Sequence, residues 1–401
     1  MLHARRNPSA HPSMAALVLV TGIGPLAVDT YVAGLPELQR SLSTSATIAQ
    51  LSLTAFIIGI GIGQIVLGPF SDGHGRRPLL ILGTVVFTVA SIACALAPTG
   101  PTLVAFRLVQ GIVAGCGVAV GRAVISDHYE GDAAAARYGT LSAIVFLGPV
   151  VAPAIGGVIL AVGSWRTIFA FLTLLGLAMV AAVVLAIPES LPPERRQGHG
   201  IQHSLARMAD LARDWHFMRH VVVQALATGG FFVYIGGSSF VLETTYGITQ
   251  SQYALLFATN AAAMALSSLA FRLLVVRLGA ARLRTVGVLT ACVASAALVV
   301  VALGDPGPDS PLAVPWVLLS VVVASMGWSI PGTTALAQQA GRRSGGTAAA
   351  LQGGLTFLVG ALVTPLTGIL GYDSLLPMAL LMLTFFVLST CWLFGSRSTH
   401  V

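Results

Sequence analysis

The sequence has few charged residues, which excludes most soluble proteins. Of its 401 residues only 9% are Asp, Glu, Lys or Arg, whereas a soluble domain carries about 25%. Lysine is absent, so all 21 basic residues are arginine. Cysteine is also scarce. The four cysteines lie inside apolar segments without metal-ligand or disulfide-scaffold spacing, so we expect them to be small core residues.

Long hydrophobic runs dominate the chain instead. Hydrophobic residues make up 56% of it and the mean hydropathy is +0.87. A membrane helix needs about 20 apolar residues, and continuous runs of that length exclude a barrel of alternating strands. The sequence therefore predicts an all-α membrane protein with twelve transmembrane helices, at 14–36, 47–69, 79–97, 101–122, 138–161, 166–187, 219–241, 251–273, 285–303, 312–334, 346–370 and 375–395.

One hydrophilic segment divides these twelve spans into two sets of six. Residues 188–218 are rich in Pro and Arg and separate a predicted six-helix bundle at 1–187 from another at 219–401. A faint repeat supports two parallel halves: a shift of 204 aligns Gly75 with Gly279 and carries Pro149 onto Gly353.

The arginines predict the orientation in the membrane. With the N-terminus inside, 18 of the 21 fall on inner segments, 2 on outer loops and 1, Arg107, in a span. Cytoplasmic loops carry an excess of arginine, so we expect both termini in the cytoplasm of a bacterial cell, with the protein in the inner membrane. The scatter of these charges over loops argues against a nucleic-acid partner.

Asp29 is the sharpest candidate for chemistry. It lies within the predicted first span, in Gly24-Pro25-Leu26-Ala27-Val28-Asp29. Ionisable groups at that depth cost about 2.5–3.5 kcal/mol on insertion scales and are functional by default. Such an acid can exchange protons near neutral pH. The alternative is an outer-end residue wetted by solvent, with its helix ending near Gly34.

Arg107 is the second charge predicted inside a span. Because guanidinium does not deprotonate in proteins, it must face a partner or water. We expect it either to bias the protonation of Asp29 or to hold polar groups of a cavity. The alternative is that it reaches the outer surface by snorkelling.

Two glycine- and proline-rich segments stand out. The loop after the second span holds Gly68, Asp72, Gly75, Arg76 and Arg77. We expect its glycines to allow a tight turn, Asp72 to cap the next helix or pair with an arginine, and the arginines to anchor the cytoplasmic face. No Gly-Lys-Ser or Gly-Lys-Thr follows, so it is no ATP site.

The fifth span holds Gly148, Pro149, Pro153, Gly156 and Gly157. Its two prolines remove two backbone donors and predict a bend, which is either a passive kink or part of a domain interface. Small-residue spacings in spans two and four (Gly59, Gly61, Gly63, Gly111, Gly115, Gly117 and Gly121) predict close helix packing.

Aromatic and amide side chains within spans are candidates for the walls of a substrate cavity. The set is Tyr31, Phe56, Gln64, Phe146, Phe231, Tyr234 and Asn260. An apolar pocket with a few polar groups suits a moderately lipophilic ligand, although each residue taken alone is more often plain packing. No triad, zinc cluster or carboxylate pair is present, which predicts neither an enzyme nor a cofactor or metal.

These segments resemble the major facilitator superfamily, and in particular the twelve-helix drug:proton antiporters of the Bcr/CflA subfamily. The loop from Gly68 to Pro78 matches G-x-x-x-D-x-x-G-R-R-P, and Arg107 with Gln110-Gly111 matches R-x-x-Q-G. Gly148 to Gly157 resembles the antiporter motif of helix five, and Asp29-x-Tyr31 resembles the subfamily's first-helix pattern.

Asp127 also fits the subfamily, whereas Gly73, Ala33 and Ala152 depart from its patterns. The resemblance implies that Asp29 carries the proton or helps to bind substrate, that Arg107 tunes it, and that the Asp72 loop stabilises one state of alternating access.

We therefore expect a monomeric secondary transporter that exports small lipophilic drugs or antibiotics in exchange for protons. One charge crossing 100 mV supplies about 2.3 kcal/mol, enough to drive a substantial drug gradient. A proton-coupled uptake symporter for a small metabolite is the alternative, although the second half lacks the buried charge it would favour. A membrane enzyme or receptor would need a catalytic cluster or cytoplasmic domain that the sequence does not contain.

Overall fold

The structure is a computed structural model that describes residues 11–32, 34–196, 201–304, 307–308, 310–370 and 374–395. Within these ranges the chain forms fifteen α-helices, two 3-10 turns and no strand. The helices are α1 (Met14–Val32), α2 (Leu35–Ser41), α3 (Ala46–His74), α4 (Arg76–Ala95), α5 (Gly100–His128), α6 (Gly131–Val145), α7 (Gly148–Val162), α8 (Trp165–Ala186), α9 (Ile201–Arg213), α10 (Trp215–Tyr246), α11 (Gln250–Leu278), α12 (Ala280–Leu303), α13 (Ala313–Ala340), α14 (Gly345–Ile369) and α15 (Leu375–Gly395).

Ten of the described helices are long and apolar enough to cross a membrane. The predicted first span is divided into α1 and α2. The predicted fifth span is interrupted between α6 and α7, where Gly148 and Pro149 begin the second helix. A proline in the first turn of a helix removes no hydrogen bond that the helix would otherwise make, so the break falls just before it. The predicted eleventh span is α14.

The predicted inner loop at 70–78 is mostly helical. Helix α3 continues to His74, α4 starts at Arg76, and Gly75 alone joins them with a φ of +98°. Glycine adopts this conformation without steric cost. The prediction that Gly75 makes a tight turn is confirmed, but Gly68 lies inside α3 and makes none.

The internal repeat holds for the second span of each half and for the start of the third. Helices α3 and α11 are both 29 residues long, and a shift of 204 superimposes their bounds. The glycine after α11, Gly279, has a φ of +78° and corresponds to Gly75. Beyond these spans the register changes, because α5 begins at Gly100 and α13 at Ala313, a shift of 213. The extension of the 204 shift from Pro149 to Gly353 was therefore wrong.

Backbone contacts group the described residues into two compact units. Unit 1 draws on the ranges Met1–Tyr129, Gly148–Asp210 and Gly341–Gly353, and unit 2 on Glu130–Leu147, Leu211–Ala340 and Gly354–Val401. The start of α14 thus packs within unit 1, and α6 within unit 2. The boundary at 188–218 between two six-helix bundles stays a prediction.

Glycines let α3 and α5 pack backbone against backbone in unit 1. A Cβ at Gly59 or Gly63 would collide with the α5 backbone, and one at Gly111 or Gly115 with the α3 backbone. Such contacts let helices approach more closely than larger side chains allow. The predicted role in packing is sterically required at these four positions, whereas a Cβ at Gly61 would meet no atom of another part of the chain within 4 Å.

Candidate functional site

Arg107 lies at the centre of an aromatic cage in unit 1. Its guanidinium carbon is 4.0 Å from the ring centroid of Phe56, 4.6 Å from that of Tyr31 and 5.7 Å from that of Phe169. The side chain is 0% exposed. The prediction that Arg107 is buried is confirmed, and the snorkelling alternative was wrong. Ring faces attract the cation and offset part of its desolvation.

One chain of hydrogen bonds holds the Arg107 head group. Its Nη1 donates to Gln110 Oε1 at 2.7 Å, and Gln110 Nε2 donates to Ser91 Oγ at 2.7 Å. Within the described residues, Nε and Nη2 of Arg107 have no hydrogen-bond partner, and no carboxylate forms an ion pair with it. Arg107 is therefore a buried cation stabilised by ring faces and an amide rather than by an acid.

Helix packing places the cage around the arginine. Gly111 lies against the backbone of Phe56, which brings α3 close to α5 one turn from Arg107. Tyr31 is fixed by a 2.5 Å hydrogen bond between its hydroxyl and Ser52 Oγ, and its ring lies 5.3 Å from that of Phe169. The aromatic side chains thus come from α1, α3 and α8.

Asp29 lies in the last turn of α1, three residues before the helix ends at Val32, and is half-buried. It is nearer a helix end than the predicted first span implied. Among the described residues it forms no ion pair and no hydrogen bond that satisfies its carboxylate. The structure thus brings Arg107 together with Tyr31 and Phe56, but it does not pair Arg107 with Asp29.

The glycines of α7 pack beside this acid. A Cβ at Gly156 would lie 2.5 Å from the carbonyl oxygen of Thr30, the residue after Asp29. Gly148 meets Pro25 only at an ordinary contact distance of 3.5 Å, and Gly157 faces open space. Of the predicted motif glycines, Gly156 is therefore the one that sets the approach of α7 to α1.

Asp72 caps a helix, but not the one predicted. Its carboxylate accepts hydrogen bonds from the backbone N–H groups of Gly346 and Thr347 at 3.0 and 2.9 Å, and from Thr347 Oγ1 at 2.7 Å. These groups belong to the first turn of α14, more than 270 positions along the chain. A carboxylate is favoured there because the first N–H groups of a helix lack internal partners. Asp72 caps α14 rather than α4.

Arg76 links Asp72 to Asp127. Its Nη1 is 2.7 Å from Asp72 Oδ1 and its Nε is 3.1 Å from Asp127 Oδ2, with Arg76 1% exposed. Ser190 Oγ donates a further bond to Asp127 at 2.7 Å. The predicted pairing of Asp72 with an arginine is confirmed, and the two carboxylates share one cation.

Glu189 caps α4, a role that the sequence analysis missed. It accepts from the backbone N–H of Arg76 at 2.9 Å and of Arg77 at 3.3 Å. In unit 2, Asp132 does the same for α12 by accepting from Ala280 N at 3.2 Å. Each helix begins directly after a glycine with a positive φ, and a glycine has no side chain that could cap the helix. This pattern could have indicated that an acid from elsewhere in the chain caps each helix.

Unit 2 holds an uncharged cluster built on α10, α11 and α13. Asn260 Nδ2 donates to the Tyr234 hydroxyl at 3.0 Å, and Ser320 Oγ donates to Asn260 Oδ1. The Tyr234 ring stacks on Phe231 and Phe257, each with a centroid separation of 6.1 Å. The predicted Phe146 packs against the same core.

Gln64 is the remaining predicted cavity residue. It is 0% exposed, and neither atom of its side-chain amide has a hydrogen-bond partner among the described residues. Its Oε1 points toward Gly353, where a Cβ would collide with it. A cavity role for Gln64, as for the rest of the predicted set, stays a prediction.

Comparison with known proteins then identifies the family. The model of the Major Facilitator Superfamily matches residues 17–365. The chain belongs to the Major Facilitator Superfamily. Its predicted fold class, twelve helices in two bundles, is the fold of this superfamily.

Two bacterial relatives align with most of this chain. The protein called uncharacterized MFS-type transporter YdgK of Bacillus subtilis is 33% identical over 100% of this chain and 99% of its own length. A bicyclomycin resistance protein homolog of Haemophilus influenzae is 27% identical over 90% of each chain.

A solved structure shows the same fold. The superfamily transporter FucP in the outward conformation has a TM-score of 0.74 at 16% identity, covering 94% of this chain and 98% of its own. The protein is thus a multi-pass membrane transporter of the Major Facilitator Superfamily.

Proposed function

We propose that this transporter exports small lipophilic drugs or antibiotics across the bacterial inner membrane in exchange for protons. The family and the full-length bacterial relatives support secondary transport, and the relative named for bicyclomycin resistance supports drugs as the cargo. The uncharged aromatic cluster around Tyr234 suits the hydrophobic face of such compounds.

The observation that carries the proposal is the environment of the Asp29 carboxyl group. It is a half-buried acid in a membrane helix, without a described ion-pair partner that would hold it ionised. The carbonyl end of α1, which lies next to it, also disfavours a fixed negative charge. Asp29 can therefore bind a proton from outside as drug leaves and release it inward before drug rebinds.

Arg107 acts as a positioning residue in this scheme. Of its two predicted roles, we keep the one that needs no contact with Asp29: holding Gln110 and the faces of Tyr31 and Phe56 in place. A planar guanidinium can stack on rings and donate in a fixed direction at once, which lysine cannot do.

The Asp72 contacts serve as a cytoplasmic gate. They join residues far apart in the chain through a carboxylate and three N–H or O–H donors, and Arg76 and Asp127 brace that carboxylate. Because the halves of a superfamily transporter rock about a central site, a contact of this kind stabilises one state and must break in the other. The arginine distribution supports a cytoplasmic position for this contact and for both chain termini.

Transport by Asp29→Asn protein tests the proposal. Inverted vesicles with an imposed pH gradient are supplied with a panel of neutral lipophilic antibiotics that includes bicyclomycin. Wild-type protein should accumulate at least one of them, and the asparagine variant should lose the part of accumulation that the gradient drives. Glu243→Gln, a change at an exposed acid of α10, should leave it intact.

Equal accumulation by Asp29→Asn and wild type, at matched protein levels, would contradict the proton-carrier role. Gradient-driven movement in the opposite direction would instead favour the uptake symporter.

A further inference from the structure

A single carboxylate lies between the starts of two helices in unit 2. Asp132 is the second residue of α6, and its Oδ1 accepts from the backbone N–H of Ala280, the first residue of α12, at 3.2 Å. Neither helix has a hydrogen bond from the side chain of its own N-cap residue. The first N–H groups of a helix lack internal partners and favour a negative charge. One acid therefore serves two helix starts.

The charge of Asp132 is directed at these helix starts rather than at a cation. Among the described residues it forms no ion pair, and its side chain is exposed. A helix cap contributes modestly to stability. Such a contact can break and re-form during a cycle of conformational change.

Helix α6 also packs closely on α11, the helix that precedes α12. The carbonyl oxygen of Gly139 accepts from Ser268 Oγ at 3.0 Å, and a Cβ at Gly139 would lie 2.8 Å from Phe271 Cδ1. Gly139 lies about two turns after Asp132 on α6. Helix α6 thus contacts α11 through Gly139 and α12 through Asp132.

The two sides of the Asp132 contact belong to different predicted bundles. Asp132 lies between the predicted spans at 101–122 and 138–161, and Ala280 between those at 251–273 and 285–303. Both segments fall on the inner side when the N-terminus is cytoplasmic. This inference rests on the proposed function, in which the two bundles rock about a central site. A contact between the bundles at the cytoplasmic side is then made in only one state.

The internal repeat relates this contact to that of Asp72, with the acid on the opposite partner. The shift of 204 carries Asp72 to Val276, so α11 has no acid at this position. Helix α6 begins 214 positions before α14, which aligns Asp132 with Gly346. Gly346 is the residue whose N–H binds Asp72. Each of the two related contacts therefore has one aspartate and one helix start, in exchanged places.

We propose that Asp132 forms a second cytoplasmic gate contact. It holds α6 to the start of α12 in the state in which Asp72 caps α14, since both contacts are present in this structure. It breaks when the cytoplasmic side opens. A contact made in one state alone shifts the population toward that state by its own free energy.

Spin-label distances in the full-length protein test this contact. The labels are attached through Ala136→Cys on α6 and Arg282→Cys on α12, after the four native cysteines are replaced by alanine. Double electron–electron resonance in nanodiscs then gives the ratio of short to long distances, at acidic and alkaline pH and with and without bicyclomycin. Asp132→Ala is compared with Asp210→Ala, which removes an exposed acid of α9.

Wild-type protein should show both distances, and the ratio of short to long should fall about fivefold in Asp132→Ala, as expected for the loss of a helix cap. The Asp210→Ala control should keep the wild-type ratio. A single distance in wild type under all conditions, an unchanged ratio in Asp132→Ala, or an equal fall in the control overturns the proposal.

Ala280→Pro tests the same contact from its other side. Proline has no N–H for Asp132 to bind, yet it is accepted at the first position of a helix. It should lower the ratio as Asp132→Ala does, and the double variant should show no further fall, because both changes remove one interaction. Additive falls would show that Asp132 acts through a different contact and would also overturn the proposal.

The label distances depend neither on the cargo nor on proton coupling. A fall in the ratio together with equal transport by Asp29→Asn and wild type would contradict the proposed function alone. Loss of gradient-driven transport in Asp29→Asn together with an unchanged ratio in Asp132→Ala would contradict the Asp132 contact alone.

Discussion

At the scale of single residues, the two most deeply buried arginines among the described residues have opposite surroundings. Arg76 and Arg107 are 1% and 0% exposed. Arg76 lies between two carboxylates, whereas Arg107 has ring faces and the Gln110 amide but no described acid. Removing one partner of a buried ion pair leaves the other charge buried without compensation. Removing a buried cation that has no carboxylate partner instead removes the cost of desolvating that cation.

This contrast predicts opposite effects of the same substitution. Arg76→Met should destabilise the fold by about 3–5 kcal/mol, because Asp72 and Asp127 lose their cation. Arg107→Met should leave the unfolding midpoint unchanged or raised, since methionine packs well against rings, while transport falls at least about tenfold. Unfolding midpoints and initial transport rates of both variants check this. A lower midpoint for Arg107→Met than for Arg76→Met would contradict the cage as described.

The sequence predicted these residues but not their partners. Four charged residues stood out because charge is rare in apolar or glycine-rich segments: Asp29, Arg107, Asp72 and Arg76. The contact between Asp72 and Thr347 spans 275 positions, and no local pattern encodes it. The capping roles of Glu189 and Asp132 likewise depend on the positions of helix N-termini that are distant in the sequence.

At the scale of helices, glycine positions determine which pairs touch. Gly156 brings the backbone of α7 against Thr30, next to Asp29, while its neighbour Gly157 faces open space. The sequence predicted a bend and close packing in this segment. It could not distinguish the two glycines, because which face of α7 meets α1 is decided by the tertiary fold.

Alanine substitutions at these adjacent glycines form a matched pair. Gly157→Ala should be neutral or stabilise the fold, since alanine is favoured over glycine in a helix by about 1 kcal/mol. Gly156→Ala adds a methyl group that must displace the Thr30 carbonyl, and we expect it to lower stability by about 1–3 kcal/mol and to impair transport. Unfolding midpoints and vesicle transport measure both effects. Equal behaviour of the two variants would show that α7 does not pack on α1 in this register.

At the scale of the whole molecule, hydropathy predicted an all-α membrane protein and the motifs predicted the major facilitator fold. The superfamily match confirms this fold class. The repeat was visible only around Gly75 and Gly279, because the loop before α13 is longer than its counterpart before α5 and changes the register. The end of α1 at Val32 agrees with the alternative that the first helix ends near Gly34. The sequence did not predict that α3 continues to His74, since apolar runs show where a span lies but not where its helix stops.

The central claim at this scale is that drug and proton binding are linked through Asp29. The most direct measurement is proton release from purified protein in weakly buffered detergent solution when a transported compound of the antibiotic panel is added. The account predicts release of about one proton per chain by wild type, as expected when ligand and proton exclude each other. The same compound should release none from Asp29→Asn protein. Equal release from both proteins would contradict the account.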